Sequence, residues 1–347
     1  MRARLRLLVL LSRPPVALLL ALYTAVGLSR AGHGQDPALL AGSLTAVIGF
    51  LLFSVACNDL ADVAIDRVNL PGAAGRPLVT GSAAARDMVV VAATSGAVAL
   101  GASLALDPRA AAVTAAGLAV SAGYSLRPVR LADRGAVAAL VLPACYVAVP
   151  YLVGVIAARH SVRPADLLLL AGLYTGFIGR ILLKDFRDVR GDALFGKRTF
   201  LVRHGRRATC LFSACCWAAG TAVLIVAARP GPAYAVSTGL CLAGALWLLR
   251  ALATETGHRR EEALISAIAI VGRGMILLLL AHLSMLQAHW TALGESAALA
   301  ALLVVTAGQA ATMAKSGPVF RSTVPFAEAE ATTGSAAAAG SAGHRGA

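Results

Sequence analysis

The segment Leu44–Asp66, "LTAVIGFLLFSVACNDLADVAID", joins a run without a single charge to one that carries a carboxamide and three carboxylates. Extended back to Ala38, the uncharged part has the length that a hydrocarbon core of roughly 30 Å asks of a helix, about 20 residues. Stretches of comparable length and character recur over 14–29, 38–57, 87–106, 110–126, 135–157, 166–183, 208–228, 233–251 and 262–288, with a tenth over 292–313. The chain has 347 residues, of which 58% are hydrophobic and 14% charged, with a mean hydropathy of +0.76. A soluble domain carries roughly 25% charged residues. These features predict an all-α fold, a polytopic membrane helical bundle of nine or ten transmembrane helices.

The start, "MRARLRLLVLLSRPP", is basic like a signal peptide, but no small-residue cleavage site follows it, so it is read as leading into the first helix. Residues 1–313 form the membrane domain. From 314 the sequence gives way to "AEAEATTGSAAAAGSAGHRGA", which lacks large apolar side chains, and a disordered low-complexity tail over 314–347 is expected.

A net charge of +14 could signal a nucleic-acid partner, but the placement of the basic residues speaks for topology. With the N-terminus in the cytoplasm, most of the 31 Lys and Arg residues fall in the N-terminal segment and the loops after helices 2, 4, 6, 8 and 10. Only Arg30, Arg109, Arg159, Arg163 and Arg229 fall on the other side, while Arg180 and Arg273 lie within helices. This asymmetry predicts a multi-pass protein of the cell (inner or plasma) membrane and removes the need for nucleic acid. The six cysteines have no C-x-x-C spacing and are read as small apolar residues.

Of 17 acidic residues, six sit in two short stretches, "NDLADVAID" (Asn58–Asp66) and "KDFRDVRGD" (Lys184–Asp192). On a helix Asn58, Asp62 and Asp66 stand at i, i+4, i+8, and Asp185, Asp188 and Asp192 at i, i+3, i+7, so each set is expected on one face. Like charges so stacked repel, and one such stretch alone could be a solvated loop face. Two of them, each at the cytoplasmic end of an even-numbered helix, divide the chain into two four-helix-like halves that would bring both faces to a common cavity. Clustered hard oxygens suit Mg²⁺, which takes one or two carboxylates together with waters and substrate phosphate oxygens, so the simplest substrate is a diphosphate. Arg67, Arg76, Arg127, Arg130, Lys184, Arg187, Arg190, Lys197 and Arg198 lie in the same loops and would help neutralise it. Arg180, one turn inside helix 6 on the face of Lys184 and Asp188, is an intramembrane charge that should face a cavity or a partner.

These residues resemble the UbiA superfamily of intramembrane prenyltransferases, whose pattern is N-D-x-x-D-x-x-x-D after helix 2 and D-x-x-D-x-x-x-D after helix 6. The flanks agree: "DRVNLPGAAGRPLVTG" is similar to the family's link to an R-P-L-x-x-G signature, and "KDFRDVRGDALFGKRTFLVRHG" resembles the homogentisate and chlorophyll-tail branch. The resemblance implies a bundle around a central cavity, capped on the cytoplasmic side. It implies that Asn58, Asp62 and Asp66 hold one Mg²⁺ and Asp185, Asp188 and Asp192 another. It places Asp59, Arg67, Arg76 and Lys184 in the surrounding polar shell, Tyr124 near the reacting carbon, and Arg127 on the diphosphate. The expected reaction, with Asp62, Asp66, Asp188, Asp192 and Tyr124 as its catalytic set and Arg180 among the substrate-binding residues, moves an isoprenyl group from an isoprenyl diphosphate to an aromatic or quinone-precursor acceptor. The chain departs from the family in a longer "NLPGAAGRPL" and in "GFLLFSVAC", which lacks the Arg found there in the 4-hydroxybenzoate branch.

The same carboxylates would serve a terpene cyclase acting without an acceptor, and the two halves also fit a transporter's internal repeat, although a transporter gathers its charges near the midplane. Arg273 in "VGRGMILLLL" is read as facing the cavity to hold an acidic acceptor or as a structural pair. His282 and His289 share a helix face with no carboxylate at matching spacing, and Gly172 and Gly176 are read as helix packing.

Overall fold

Proline opens six of the helices. Pro14, Pro37, Pro77, Pro108, Pro164 and Pro232 each begin one, where the missing N–H is an orphan in any case and the fixed φ suits the helix. The computed structural model describes residues 2–69, 75–187, 194, 199–228 and 231–318, and every regular element among them is a helix. In order these are α1 (Arg2–Ser12), α2 (Pro14–Arg30), α3 (Pro37–Asn69), α4 (Pro77–Thr80), α5 (Ala85–Leu106), α6 (Pro108–Ser125), α7 (Ala136–Pro143), α8 (Val149–Arg159), α9 (Pro164–Ile181), α10 (Phe200–Ala227), α11 (Pro232–Thr254), α12 (His258–Gln287) and α13 (Ala292–Ser316).

Each of the ten predicted stretches falls in this helical framework. Eight segments are long and apolar enough to cross a membrane: 37–68, 85–106, 136–159, 164–187, 200–227, 232–254, 258–287 and 292–316. The other two are α2, which is shorter at 17 residues, and α6, at 18. The chain is a multi-pass membrane protein, and large apolar side chains such as Leu104, Leu211, Val226, Trp247 and Val304 cover its outer surface. The predicted tail boundary at 314 lies inside α13, which continues to Ser316; residues 319–347 lie outside the described residues.

The helices form a closed ring. α2 packs on α3 and α8, α3 on α6, α6 on α8, α7 on α9, α9 on α10, α10 on α11 and α11 on α12, and α12 returns to α2. α5 and α13 lie outside this ring, against α3 and against α11 and α12. The closing seam between α12 and α2 is marked by Gln287, whose amide donates to the carbonyl of Ser29, and by the Ser29 and Ser284 hydroxyls 3.5 Å apart. Two crossings bring backbones into contact through glycines on both helices. Gly27 of α2 lies against the carbonyl of Tyr151 in α8, and Gly154 of α8 against that of Thr24. In the other crossing, a Cβ on Gly220 of α10 would sit 2.6 Å from the Gly176 nitrogen and 2.8 Å from the Gly172 carbonyl oxygen of α9, so both glycines do pack helices as expected.

The segment 136–159 is interrupted. Pro143 and Pro150, which lack N–H donors, flank a π-helical turn over Ala144–Ala148. That turn aims Cys145 and Tyr146 at the inside of the ring.

Candidate active site

α3 runs without a break from Pro37 to Asn69, so "NDLADVAID" remains helical, but its polar side chains do not share one face. At 3.6 residues per turn, seven residues fall about 20° short of two turns and eight overshoot by about 80°. Asp66 therefore aligns with Asp59 rather than with Asn58. Asn58 and Asp62 turn into a recess, with Asn58 Nδ2 donating to Asp62 Oδ2 at 2.7 Å. Asp59 and Asp66 turn toward Arg76, which pairs with Asp59 and stands 3.1 Å from Asp66 Oδ2. Arg13, at the break between α1 and α2, also pairs with Asp59. Asp59 is 3% exposed, and its second oxygen, Oδ2, has no hydrogen-bond partner.

The same recess collects the end of α9. There a 3-10 turn over Leu182–Lys184 leads into Asp185, and Lys184 and Asp185 line the recess with Asn58, Asp62 and Tyr124. Residues 126 positions apart in sequence thus meet across one space of about 590 Å³, counted with its mouth. Asp188 and Asp192 of the second stretch, with Arg190, Lys197 and Arg198, lie outside the described residues. Among the described residues, no three His, Cys, Asp or Glu side chains gather closely enough to hold a metal by themselves.

The recess opens into a larger cavity at the centre of the ring, about 1350 Å³ with its mouth, and the two share Asn58, Tyr124, Leu142, Ile181 and Lys184. Its wall is mostly apolar and aromatic. Tyr146 stacks on Phe177 with centroids 6.0 Å apart, and Ser121 donates to Ser54 at 2.8 Å. Arg180 and Arg273 both reach this cavity, and Arg187 at its rim donates to Ser266 Oγ at 2.9 Å.

Other predicted residues fall elsewhere. Arg67 is exposed on α3, and Arg127 is exposed in the turn after α6. In that turn the Arg130 N–H bonds back to the Leu126 carbonyl at 2.9 Å, which carries the Arg130 side chain over the recess. Arg130 Nη2 meets Asp62 Oδ1 at 2.7 Å, its Nε meets Asp133 at 2.6 Å, and its Nη1 reaches the carbonyls of Ala61 and Ser125. Of the described loop cations Arg76 and Arg130, and of the basic start Arg13, reach the first acidic stretch. Nothing in "YSLRPVRL" sets Arg130 above Arg127, because the difference lies in a turn. His282 gains a carboxylate that spacing along its own helix could not supply: Glu295 of α13 meets its Nδ1 at 2.6 Å, and Tyr234 stacks on its ring at 4.6 Å, away from the cavity.

Comparison with known proteins agrees with this architecture. In curated sequence, 150 residues are 27% identical to the bacteriochlorophyll synthase 34 kDa chain of Chloroflexus aurantiacus; the match covers 43% of this chain and about half (47%) of that relative's length. The fold is similar to that of a digeranylgeranylglyceryl phosphate synthase, with a TM-score of 0.63 and 17% identity over 82% of this chain and 99% of that one. It is also similar to a UbiA homologue from Archaeoglobus fulgidus bound to DMAPP and Mg²⁺, with a TM-score of 0.60 and 15% identity over 80% and 99% of the two chains. The model of the UbiA prenyltransferase family matches residues 18–271, which takes in both acidic stretches and most of the residues that line the cavity: the chain belongs to that family.

Proposed function

We propose that this protein is a Mg²⁺-dependent intramembrane prenyltransferase that moves an allylic isoprenyl group from a polyprenyl diphosphate to an aromatic or quinone-precursor acceptor. The observation that carries this reading is the junction of a polar recess, lined by Asn58, Asp62, Lys184 and Asp185, with an apolar central cavity. An amphiphile with a diphosphate head and an isoprenoid tail fits that junction end to end.

The donor set suits the ion. Asn58, Asp62 and Asp185 offer hard oxygens from two helices, and Mg²⁺ needs few protein ligands when a diphosphate supplies the rest. Asp188 and Asp192 would complete the second stretch, and Asp66 would join once Arg76 releases it. Bound there, Mg²⁺ supplies positive charge to the oxygens of the leaving diphosphate. Lys184, Arg130 and Arg187 add fixed cations around the same head group, so charge that grows on it as the allylic C–O bond breaks meets donors already in place. The ring of helices excludes water from the cation left behind, and Tyr124, at the junction, sits where the acceptor meets the reacting carbon. The acceptor then attacks that carbon and loses a proton. The mouth faces the cytoplasm of a cell membrane, a reading supported by the basic residues gathered at that end.

The test is diphosphate release by the purified protein from geranyl, farnesyl and geranylgeranyl diphosphates, with and without Mg²⁺ and a panel of phenolic acceptors, beside Asp62→Ala and Asp188→Ala. Release that needs metal and acceptor and is lost in both variants is expected. Release with a cyclised hydrocarbon and no acceptor would replace the transfer step with cyclisation, and no turnover would overturn both.

A further inference from the structure

Arg180 and Arg273 lie deeper in the cavity than the charges assigned to the diphosphate. Arg187 meets Ser266 at 2.9 Å, which fixes the relative height of α9 and α12 at the rim. Arg180 lies seven residues before Arg187 and Arg273 seven after Ser266, so both stand about 10 Å further into the ring. Their side chains line one cavity from facing helices, and the Cβ that Gly272 lacks would lie 3.7 Å from Cδ of Arg180.

Neither has a counter-ion among the described residues. Among the described residues no carboxylate lies within 4.0 Å of either guanidinium, whereas Arg13, Arg30, Arg76, Arg130, Arg159 and Arg206 each have one. Nη1 of Arg180 is buried without any hydrogen-bond partner. Two unpaired guanidinium groups at membrane depth repel each other and cost free energy until an anion joins them. An isoprenoid tail, all hydrocarbon, gives them nothing.

We propose that Arg180 and Arg273 form the anion-binding subsite of the second substrate: the acceptor carries a carboxylate or phosphate that points into the bundle, away from the recess, while its ring lies along the Tyr146–Phe177 wall toward Tyr124. The planar fork of arginine matches either anion with paired hydrogen bonds, which lysine does not. The anion so fixes which ring atom faces the allylic carbon. This inference rests on the prenyl-transfer reading for what the bound molecule becomes, but not for the binding itself.

Trp217 provides a reporter, because its ring would lie 3.1 Å from a Cβ on Gly272, while the other tryptophans, Trp247 and Trp290, are exposed on the outer surface. The experiment is fluorescence titration of the full-length protein with hydroxylated benzoic and phenylacetic acids, the corresponding aryl phosphates, and their neutral amides, for the wild type, Arg180→Gln, Arg273→Gln and Arg273→Lys. Geranyl diphosphate binding with Mg²⁺ is measured in parallel and also shows that each variant is folded. At least one anion series binds the wild type about tenfold or more tighter than its amides. Both Gln variants lose that margin, Arg273→Lys recovers only part of it, and geranyl diphosphate affinity stays within about twofold. Which series binds tells carboxylate from phosphate. Equal binding of acids and amides, or no binding by either anion series, overturns the subsite. So does a loss of geranyl diphosphate affinity larger than the loss for the acids, which would return both arginines to the diphosphate. Anion binding at the pair in a protein that fails to release diphosphate would instead overturn the prenyl-transfer reading and leave the subsite standing.

Discussion

Two buried aspartates, each clasped by two arginines, sit toward opposite ends of the ring's wall and differ in how completely they are satisfied. Asp166, at the start of α9, pairs with Arg159, stands 3.4 Å from Arg30, and accepts the Arg163 N–H at 2.8 Å. Both of its oxygens are used. Asp59, beside the recess, directs one oxygen to Arg13 and Arg76 and leaves the other without a partner. The first cluster ties α2, α8 and α9 together and uses both carboxylate oxygens; the second stands beside the proposed ligand site and leaves one oxygen open. A count of ion pairs would not tell them apart, but a count of unused oxygens does.

The comparison would be broken most directly by Asp166→Ala. Removing it strands Arg30 and Arg159, and a loss of ~3–5 kcal/mol is expected, read as unfolding in detergent or lipid, with geranyl diphosphate affinity unchanged in the molecules that remain folded. Asp59→Ala should cost less, about 1–2 kcal/mol, because Arg76 keeps Asp66 at 3.1 Å and Arg13 is 25% exposed; here turnover should fall further than stability. Equal losses of stability in the two variants would erase the distinction. Arg76→Lys sharpens it further: Lys offers one point charge where Arg76 spans two carboxylates, so a loss of about 1 kcal/mol, with raised KM for the prenyl diphosphate, is expected from steady-state kinetics.

The smallest effect belongs to a third acid, Asp107, in the turn between α5 and α6. It caps α6 by accepting the Arg109 N–H at 2.7 Å and meets His160 Nδ1 at 2.7 Å. The His160 hydrogen bond, then that from Arg109, holds its carboxyl below the usual carboxylate range. Its contribution to stability is therefore complete above about pH 4, the unfolded value, and is lost as pH falls through the lower folded value. Asp107→Asn should remove that contribution, so the melting temperature falls slightly at neutral pH and the acid limb of its pH profile flattens.

Most of the framework was legible in the sequence, because length and apolarity suffice to place a membrane helix and prolines mark where helices begin. The candidate site was legible in part. Spacing placed Asn58 and Asp62 together, but it grouped Asp66 with them, whereas the drift of a helix over eight residues turns Asp66 to Arg76. Arg130 and Arg13 were not set apart, because a turn and a helix break decide where they reach. Glu295 against His282 and Arg30 near Asp166 join separate helices, and no periodicity within one helix reports on its neighbour.

The seam between α2 and α12 has a consequence for how the protein is made. Gln287 and Ser29 are 258 residues apart, and their contact closes the ring. At ~5–20 residues per second of synthesis, α2 waits roughly ten to fifty seconds in the membrane before its partner exists. Throughout that interval the nascent chain is an open crescent, with the flank of α2 that will meet α12 turned to lipid or to whatever insertion factor shelters it.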